Sequence, residues 1–206
     1  MMNSLIKMAE NGTLPDFLIK IGIKRLCEQR LHWADNLGPE KLQEHHQSWV
    51  NTLKESPIAL VPEKANEQHY EVPPAFFDIV LGKHLKYSSG FWKKGCNDID
   101  KSELDMLELS SKRAQLDDNM KILELGCGWG SLTLFMARKY PNSFITAVSN
   151  SNDQRKYIES KCEKLKITNV KVITCDMNDF SIDDTFDRVV SIEMFEHMRN
   201  YQKLLN

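Results

Sequence analysis

The sequence predicts an α/β fold with a parallel sheet in the second half of the chain, behind a helical N-terminal extension. Three observations carry that prediction. Short β-rich runs alternate with helical stretches from Met120 onward, whereas before about residue 115 the periodicity is helical and punctuated by Pro and Gly. A hydrophobic run, Ile122-Leu123-Glu124-Leu125, enters a glycine-rich turn. That turn opens at once into a helix. The expected division is residues 1–115 as a helical extension or lid and 116–206 as a ligand-binding α/β domain.

Length and composition narrow the classes. With 206 residues, the chain holds one ordinary domain plus an appendage. Hydrophobic residues at 41% and charged residues at 27% are a globular balance, which excludes wholesale disorder. Lys and Arg total 27 against 29 Asp and Glu, so gripping nucleic acid by charge is not the expected business of this chain. No window is apolar enough to span a membrane, and Met1 to Leu14 lacks the pattern of a signal peptide. Cys27, Cys96, Cys127, Cys162 and Cys175 form no CxxC or CxxH pair. They read as reduced thiols of a cytoplasmic protein, with neither a disulfide framework nor a metal site.

Each element has a local reason. Leu14-Pro15-Asp16 offers a helix start, and Ile19, Ile23, Leu26 and Cys27 follow at helical spacing with Lys20, Lys24 and Arg25 between them. A second helix is expected from Pro39 to Leu53, with Leu42, His46, Trp49 and Leu53 on one face and Ser56-Pro57 ending it. Val72-Pro73-Pro74 fixes an extended entry to a short helix, Ala75 to Leu81. Another helix is expected from Lys101 to Ala114. The second half then reads as strand Lys121–Leu125, helix Gly130–Tyr140, strand Phe144–Ser149, helix Asn152–Leu165, strand Val170–Cys175 and strand Phe186–Ile192, with a helix beginning near Arg199. An open sheet of this kind normally has covered faces and a protected edge. The expectation is therefore an N-terminal portion of a longer enzyme.

The glycine turn, Gly126-Cys127-Gly128-Trp129-Gly130, is the most informative segment. Gly126 is expected to make the tight turn, Gly128 to let backbone approach a ligand, and Gly130 to let helix pack on strand. Cys127 satisfies a demand for a small residue. A plain strand–helix connection is the bland alternative. A dinucleotide site calls for G-x-G-x-x-G and an acidic residue closing the next strand. Here the spacing is G-x-G-x-G and the next strand closes with Ser149-Asn150, which demotes nicotinamide cofactors. Glu124 before the turn and Asp176 after the third strand instead suit a ligand with a cationic end and an amino-bearing base, as in S-adenosylmethionine.

Glu124–Gly130 resembles motif I of the class I S-adenosylmethionine-dependent methyltransferases, which have a Rossmann-like fold. His69-Tyr70-Glu71-Val72-Pro73, Lys86-Tyr87-Ser88, Gly126–Gly130, Ser149-Asn150-Ser151 with Gln154, and Met194-Phe195-Glu196-His197 together resemble the cyclopropane-fatty-acid synthase family, in its coclaurine N-methyltransferase-like branch. The likeness implies S-adenosyl-L-methionine as cofactor. Tyr87 and Ser88 would close over its methionine end, Glu124, Gly126 and Gly128 would line the methionine and ribose, and Cys127 and Gly130 would complete the cofactor-binding turn. Ser149, Asn150 and Gln154 would contact the ribose, and Asp176 and Met177 the adenine.

The acceptor side is expected at Ser191–Met198, on the carboxyl edge of the fourth strand. Glu193, Glu196 and His197 are the catalytic candidates: two carboxylates and an imidazole can take a proton or steer a cationic amine. Capping of the next helix by Glu196 and His197 is the bland alternative. By the resemblance, cyclopropane synthases typically carry Cys, part of a bicarbonate site, at Ser89 and Gly at Glu193, whereas the N-methyltransferase branch carries Glu. The acceptor is therefore expected to be a small amine, with an unsaturated lipid as the alternative and a non-catalytic cofactor-binding fragment as a third reading. His69 and Tyr70 face either the acceptor or a loop anchor, Trp129 either the cofactor or the core. His45-His46 is too short for a metal site. The basic helix from Ile19 to Arg30 offers peripheral contact with an anionic membrane or a lid over the enzyme's own site. A homodimer is compatible with all of this.

Overall fold

The computed structural model describes residues 2–60 and 74–206, so His69, Tyr70 and the extended entry at Val72-Pro73 lie outside the described residues. Packing distinguishes two compact units, Met1–Leu53 and Lys54–Asn206.

The first unit is helical. Helix α1 spans Met2–Glu10, and α2 spans Asp16–Glu55, reaching into the second unit. The backbone of α2 breaks at Gly38 (φ 71°, ψ 165°), a conformation that only glycine adopts freely, and Pro39 then starts the second arm. A straight helix would hold residues 33 and 45 about 18 Å apart. Instead the Trp33 and His45 rings meet edge-on at 5.2 Å, with the Arg30 guanidinium 4.1 Å from the Trp33 ring. The break therefore folds the two arms back together, and His45 serves packing. No described group of residues could hold a metal ion. No residue of α2 is buried, and Ile21, Ile23 and Leu26 are exposed.

The second unit holds the sheet. Helices α3 (Pro74–Val80) and α4 (Ile99–Arg113) precede β1 (Lys121–Leu125), α5 (Ser131–Lys139), β2 (Phe144–Ser149), α6 (Asn152–Leu165), β3 (Val170–Thr174) and β4 (Arg188–Ser191). A 3₁₀ turn, Phe195–His197, and a short helix, α7 (Tyr201–Leu204), follow. The four strands are parallel in the order β3-β2-β1-β4. Leu123 stands between Thr146 on β2 and Val189 on β4. The chain thus moves outward from β1 through β2 to β3, then returns to the other side of β1. That reversal creates a crevice beyond the carboxyl ends of β1 and β4.

Alternation along β1 divides the core. Ile122 packs with Leu107 of α4, Leu132, Phe135 and Met136 of α5, and Val190. Leu123 and Leu125 turn to the opposite face with Val148, Met177 and Met194. Because both faces are covered, β1 is apolar or buried throughout its last four residues. Leu107 is fully buried in this core. The change in periodicity near residue 115 therefore marks a change in local pattern, whereas packing draws its boundary before Lys54. Among the described residues, no helix is long and apolar enough to cross a membrane.

Truncating Leu107 to Ala removes a wholly enclosed side chain between α4 and β1. We expect urea denaturation to show a loss of about 2–5 kcal/mol. A loss below about 0.5 kcal/mol would mean that α4 is not part of the sheet's core.

Candidate active site

The three glycines of the turn have three different causes. A Cβ on Gly126 (φ 78°) would lie 2.8 Å from Met194 Cβ, on the segment after β4. A Cβ on Gly130 (φ 81°) would lie 2.7 Å from Ile158 Cγ1 of α6. Gly130 was expected to admit the strand; the neighbour it admits is a helix. Gly128 (φ 53°) is unlike both, since a Cβ there would meet nothing within 4 Å. Protein packing thus demands glycine at Gly126 and Gly130, whereas at Gly128 the left-handed backbone is the demand and the space beyond its Cα is open. The amides of Gly126 and Cys127 both donate to Val148 O at 3.0 Å, which fixes the turn against β2. Helix α5 starts at Gly130 without a side-chain cap, so its first N–H groups are not satisfied by a capping side chain.

Glu124, next to last on β1, is buried and accepts a 2.5 Å hydrogen bond from Thr133 Oγ1 of α5. Burial pushes its carboxyl up to about 7, against the opposing effects of the Thr133 hydrogen bond and the Lys86 charge. Cys127 is buried, and burial raises its thiol well above the ordinary value, so it fills space without being a nucleophile.

A second loop reaches the site from the N-terminal side of the sheet unit. Gly82 N and His84 N donate to the two oxygens of Glu103 at 2.9 and 3.0 Å, and Lys83 N donates to Asp100 Oδ1 at 2.8 Å. At the other end, Phe91 N donates to Ser102 O at 2.8 Å. Helix α4 therefore holds both ends of the 82–91 segment that carries Tyr87 and Ser88. Tyr87 is half exposed, with its ring edge 5.4 Å from the Phe77 ring. Phe77 also meets Trp129 at 5.6 Å, and Trp129 meets Tyr157 at 5.3 Å. Trp129 is buried beside the turn, and its indole Nε1 has no hydrogen-bond partner among the described residues.

At the end of β2, Ser149 Oγ donates to Gln154 Oε1 at 2.5 Å and accepts from Ser151 N at 3.0 Å. Gln154 is buried, and its Nε2 has no hydrogen-bond partner among the described residues. Asn150 is exposed. Beyond β3, Asp176 Oδ1 accepts from Asn178 N at 2.8 Å, while the Met177 side chain packs into the core with Leu125 and Met194.

Beyond β4, Glu193 takes the left-handed conformation (φ 52°), which costs a non-glycine residue about 1 kcal/mol. It precedes Met194, the residue seated on Gly126. Glu193, Glu196 and His197 are all exposed along this edge. Strain, position and charge thus coincide at Glu193.

The parallel sheet puts the carboxyl ends of its four strands on one edge, where Gly126–Gly130, Asn150, Asp176, Met177 and Glu193–His197 follow directly; His45, His46 and the basic residues Lys20, Lys24 and Arg25 belong to α2. Sequence reasoning missed Lys86, Glu103, Thr133, Asn178 and Asn200. Glu103 had a signal: it shares a helix face with Leu107 and Ser111, and a carboxylate at such a place demands partners. Asn178 had none, because it hydrogen-bonds both N and O of Ala59 across 119 residues of sequence. Asn200 Nδ2 likewise donates to Lys54 O and Ser56 O at 2.6 and 2.9 Å.

The family model for mycolic acid cyclopropane synthetase matches residues 61–206. An (S)-coclaurine N-methyltransferase of Thalictrum flavum subsp. glaucum is 39% identical over 98% of the chain and 56% of its own length. The cyclopropane-fatty-acyl-phospholipid synthase of Escherichia coli (strain K12) is 34% identical over 66% of the chain and 34% of its own length. A crystal structure of coclaurine N-methyltransferase bound to N-methylheliamine and SAH superposes with a TM-score of 0.92 at 38% identity, covering 99% of this chain and 59% of that one. The chain thus spans a little over half the length of its N-methyltransferase relatives.

The buried Glu124 carboxyl makes stability pH-dependent in a defined sense. Its folded value near 7 lies above the unfolded value near 4.5, so the folded state holds a proton that the unfolded state has lost. That contribution is greatest below pH 4.5 and is lost as pH rises through 7. Relative to Glu124→Gln, the wild-type chain is expected to lose about 3 kcal/mol between pH 4.5 and pH 8. Urea unfolding of both proteins across that range measures it, and parallel profiles would refute it.

Proposed function

The chain belongs to the mycolic acid cyclopropane synthetase family, and on that premise we propose that it acts as an S-adenosyl-L-methionine-dependent methyltransferase on a small amine. The observation that carries the cofactor is the turn itself. Open space lies over Gly128, while the neighbouring glycines are filled by protein. The unpartnered Gln154 Nε2 at the end of β2 fits a ribose hydroxyl, and no carboxylate of the dinucleotide kind closes that strand. Tyr87, Ser88, Glu124, Gly126 and Gly128 are assigned to the methionine half, Ser149, Asn150 and Gln154 to the ribose, and Asp176 to the adenine. Met177 supports that end from the core side.

When bound, the donor supplies an activated methyl group on a sulfonium. What remains for the protein is alignment of the acceptor and exclusion of water. An amine attacks through its lone pair, so it has to arrive without its proton. Glu193 is the group assigned to orient the amine and accept that proton, with His197 as its partner and Glu196 as a supporting ligand. The left-handed backbone at Glu193 favours this reading over lipid cyclopropanation, because a position that suits glycine carries a carboxylate instead. N-methyltransferases among the relatives support the same choice.

Two experiments test this reading. Gly128→Val fills the open space over the turn and is expected to abolish titratable binding of S-adenosylhomocysteine, so retained affinity would contradict the turn model. Incubating the chain with methyl-labelled donor, a panel of secondary amines and unsaturated phospholipids is expected to label amine and leave lipid unlabelled. Label in lipid alone would assign the site to cyclopropanation, and binding without transfer to either would leave a cofactor-binding module. In an active enzyme, Glu193→Gln should lower turnover by about 100-fold with little change in cofactor affinity. Equal losses would place Glu193 on the cofactor side.

A further inference from the structure

Lys86 has no role in the reading above, yet its placement calls for one. The segment that bears it is pinned by Glu103 and Asp100 through three backbone amides. Leu85 is forced into the left-handed region (φ 49°), with its amide bonded to Gly82 O and its carbonyl accepting from Tyr87 N. That turn sends Tyr87 outward, half exposed, and Lys86 inward, where only 4% of it is accessible. The Lys86 ammonium donates to Ser88 Oγ at 2.6 Å. Among the described residues this is its one hydrogen bond, so two of its three donors are unspent. A buried ammonium in that condition is costly unless a further acceptor arrives.

The direction of the Lys86–Ser88 bond matters. Because the ammonium occupies a lone pair of Ser88 Oγ, the hydroxyl proton is turned away from it and free to donate. No oxygen among the described residues accepts that proton. Lys86 and Ser88 thus offer two unspent N–H donors and one polarised O–H side by side, a set that suits a carboxylate with its two oxygens. Of the nearby carboxylates, Glu103 is engaged through both oxygens by Gly82 N and His84 N, and Glu124 through Oε2 by Thr133. Glu193 on the loop beyond β4 also lies in the field of Lys86. Burial draws the ammonium down from its usual value, and the charges of Glu193, Glu103 and Glu124 oppose that effect.

We propose that Lys86, acting with the Ser88 hydroxyl, anchors the α-carboxylate at the methionine end of the donor. The inference rests on the sulfonium-donor reading of the site and adds a ligand to it. It also gives the zwitterionic end a complementary lining. Lys86 meets its one negative group, while Glu124 and Glu193 stand toward its positive ones.

The test compares two ligands that differ in the amino-acid end. S-adenosylhomocysteine carries the carboxylate, whereas methylthioadenosine retains the nucleoside and sulfur without it. Both are titrated calorimetrically into wild type, Lys86→Met, Lys86→Arg and Ser88→Ala, with thermal unfolding as the check on folding. Lys86→Met is expected to weaken S-adenosylhomocysteine tenfold or more and to leave methylthioadenosine within twofold. Lys86→Arg should retain most of the discrimination, and Ser88→Ala should lose part of it. If Lys86→Met does not fold, the Ser88→Ala selectivity decides. Equal loss for both ligands, or no loss for either, would overturn the anchor while leaving the nucleoside site standing. Wild type that binds neither ligand would remove the donor reading, and the anchor with it.

Discussion

Contact between Met194 and Gly126 sets the geometry of the crevice. The two residues belong to loops that leave adjacent strands on either side of the chain's reversal. A side chain at Gly126 would push the β4 loop away and separate the glycine turn from Glu193. With hydrogen there, Met194 drops into the core beside Leu125, Val148 and Met177. The loop assigned to donor binding and the loop assigned to the acceptor are thereby held as one packed surface. Gly130 repeats the device at the end of the turn, admitting Ile158 so that α6 packs against the start of α5.

The electrostatics of the site follow from burying charge around that surface. Glu124 and Lys86 are each nearly inaccessible, and burial moves each toward its neutral form. They are placed within one another's field but are not hydrogen-bonded to one another among the described residues. Each has a hydroxyl instead: Thr133 for the carboxylate, Ser88 for the ammonium. Each hydroxyl satisfies only part of the charge it meets. Glu103 differs, since two backbone amides engage its oxygens and make it a fastening for the 82–84 segment. Three buried ionisable side chains of similar accessibility therefore do three separate jobs, and their partners tell them apart.

Much of this was legible in the sequence. The strands β1 and β2 and helix α6 carry patterns strong enough to fix their ends, and three glycines alternating after an apolar run announced the turn. Glu193, Glu196 and His197 could be placed on the sheet's carboxyl edge because position after a strand is a local property. Residues that act across long stretches of chain were not. Asn178 and Asn200 look like ordinary loop polar residues, and only the fold brings them to the backbone of residues 54–60. Lys86 stands within the Lys86-Tyr87-Ser88 motif, but helical or strand spacing says nothing about which way a side chain points from a strained turn. The boundary near residue 115 shows a related limit: periodicity reports local conformation, and Leu107 shows that a helix before that point belongs to the sheet.

The backbone at Glu193 has a consequence for how such sites diversify. Glycine rests there without strain, and a glutamate occupies the same conformation at a cost of about 1 kcal/mol. Exchange between the two requires no rebuilding of the loop, and glycine and glutamate codons of the GGA and GAA kind differ by a single base. A lineage could therefore add or delete a carboxylate at the mouth of the crevice in one mutational step, with the scaffold beneath it untouched.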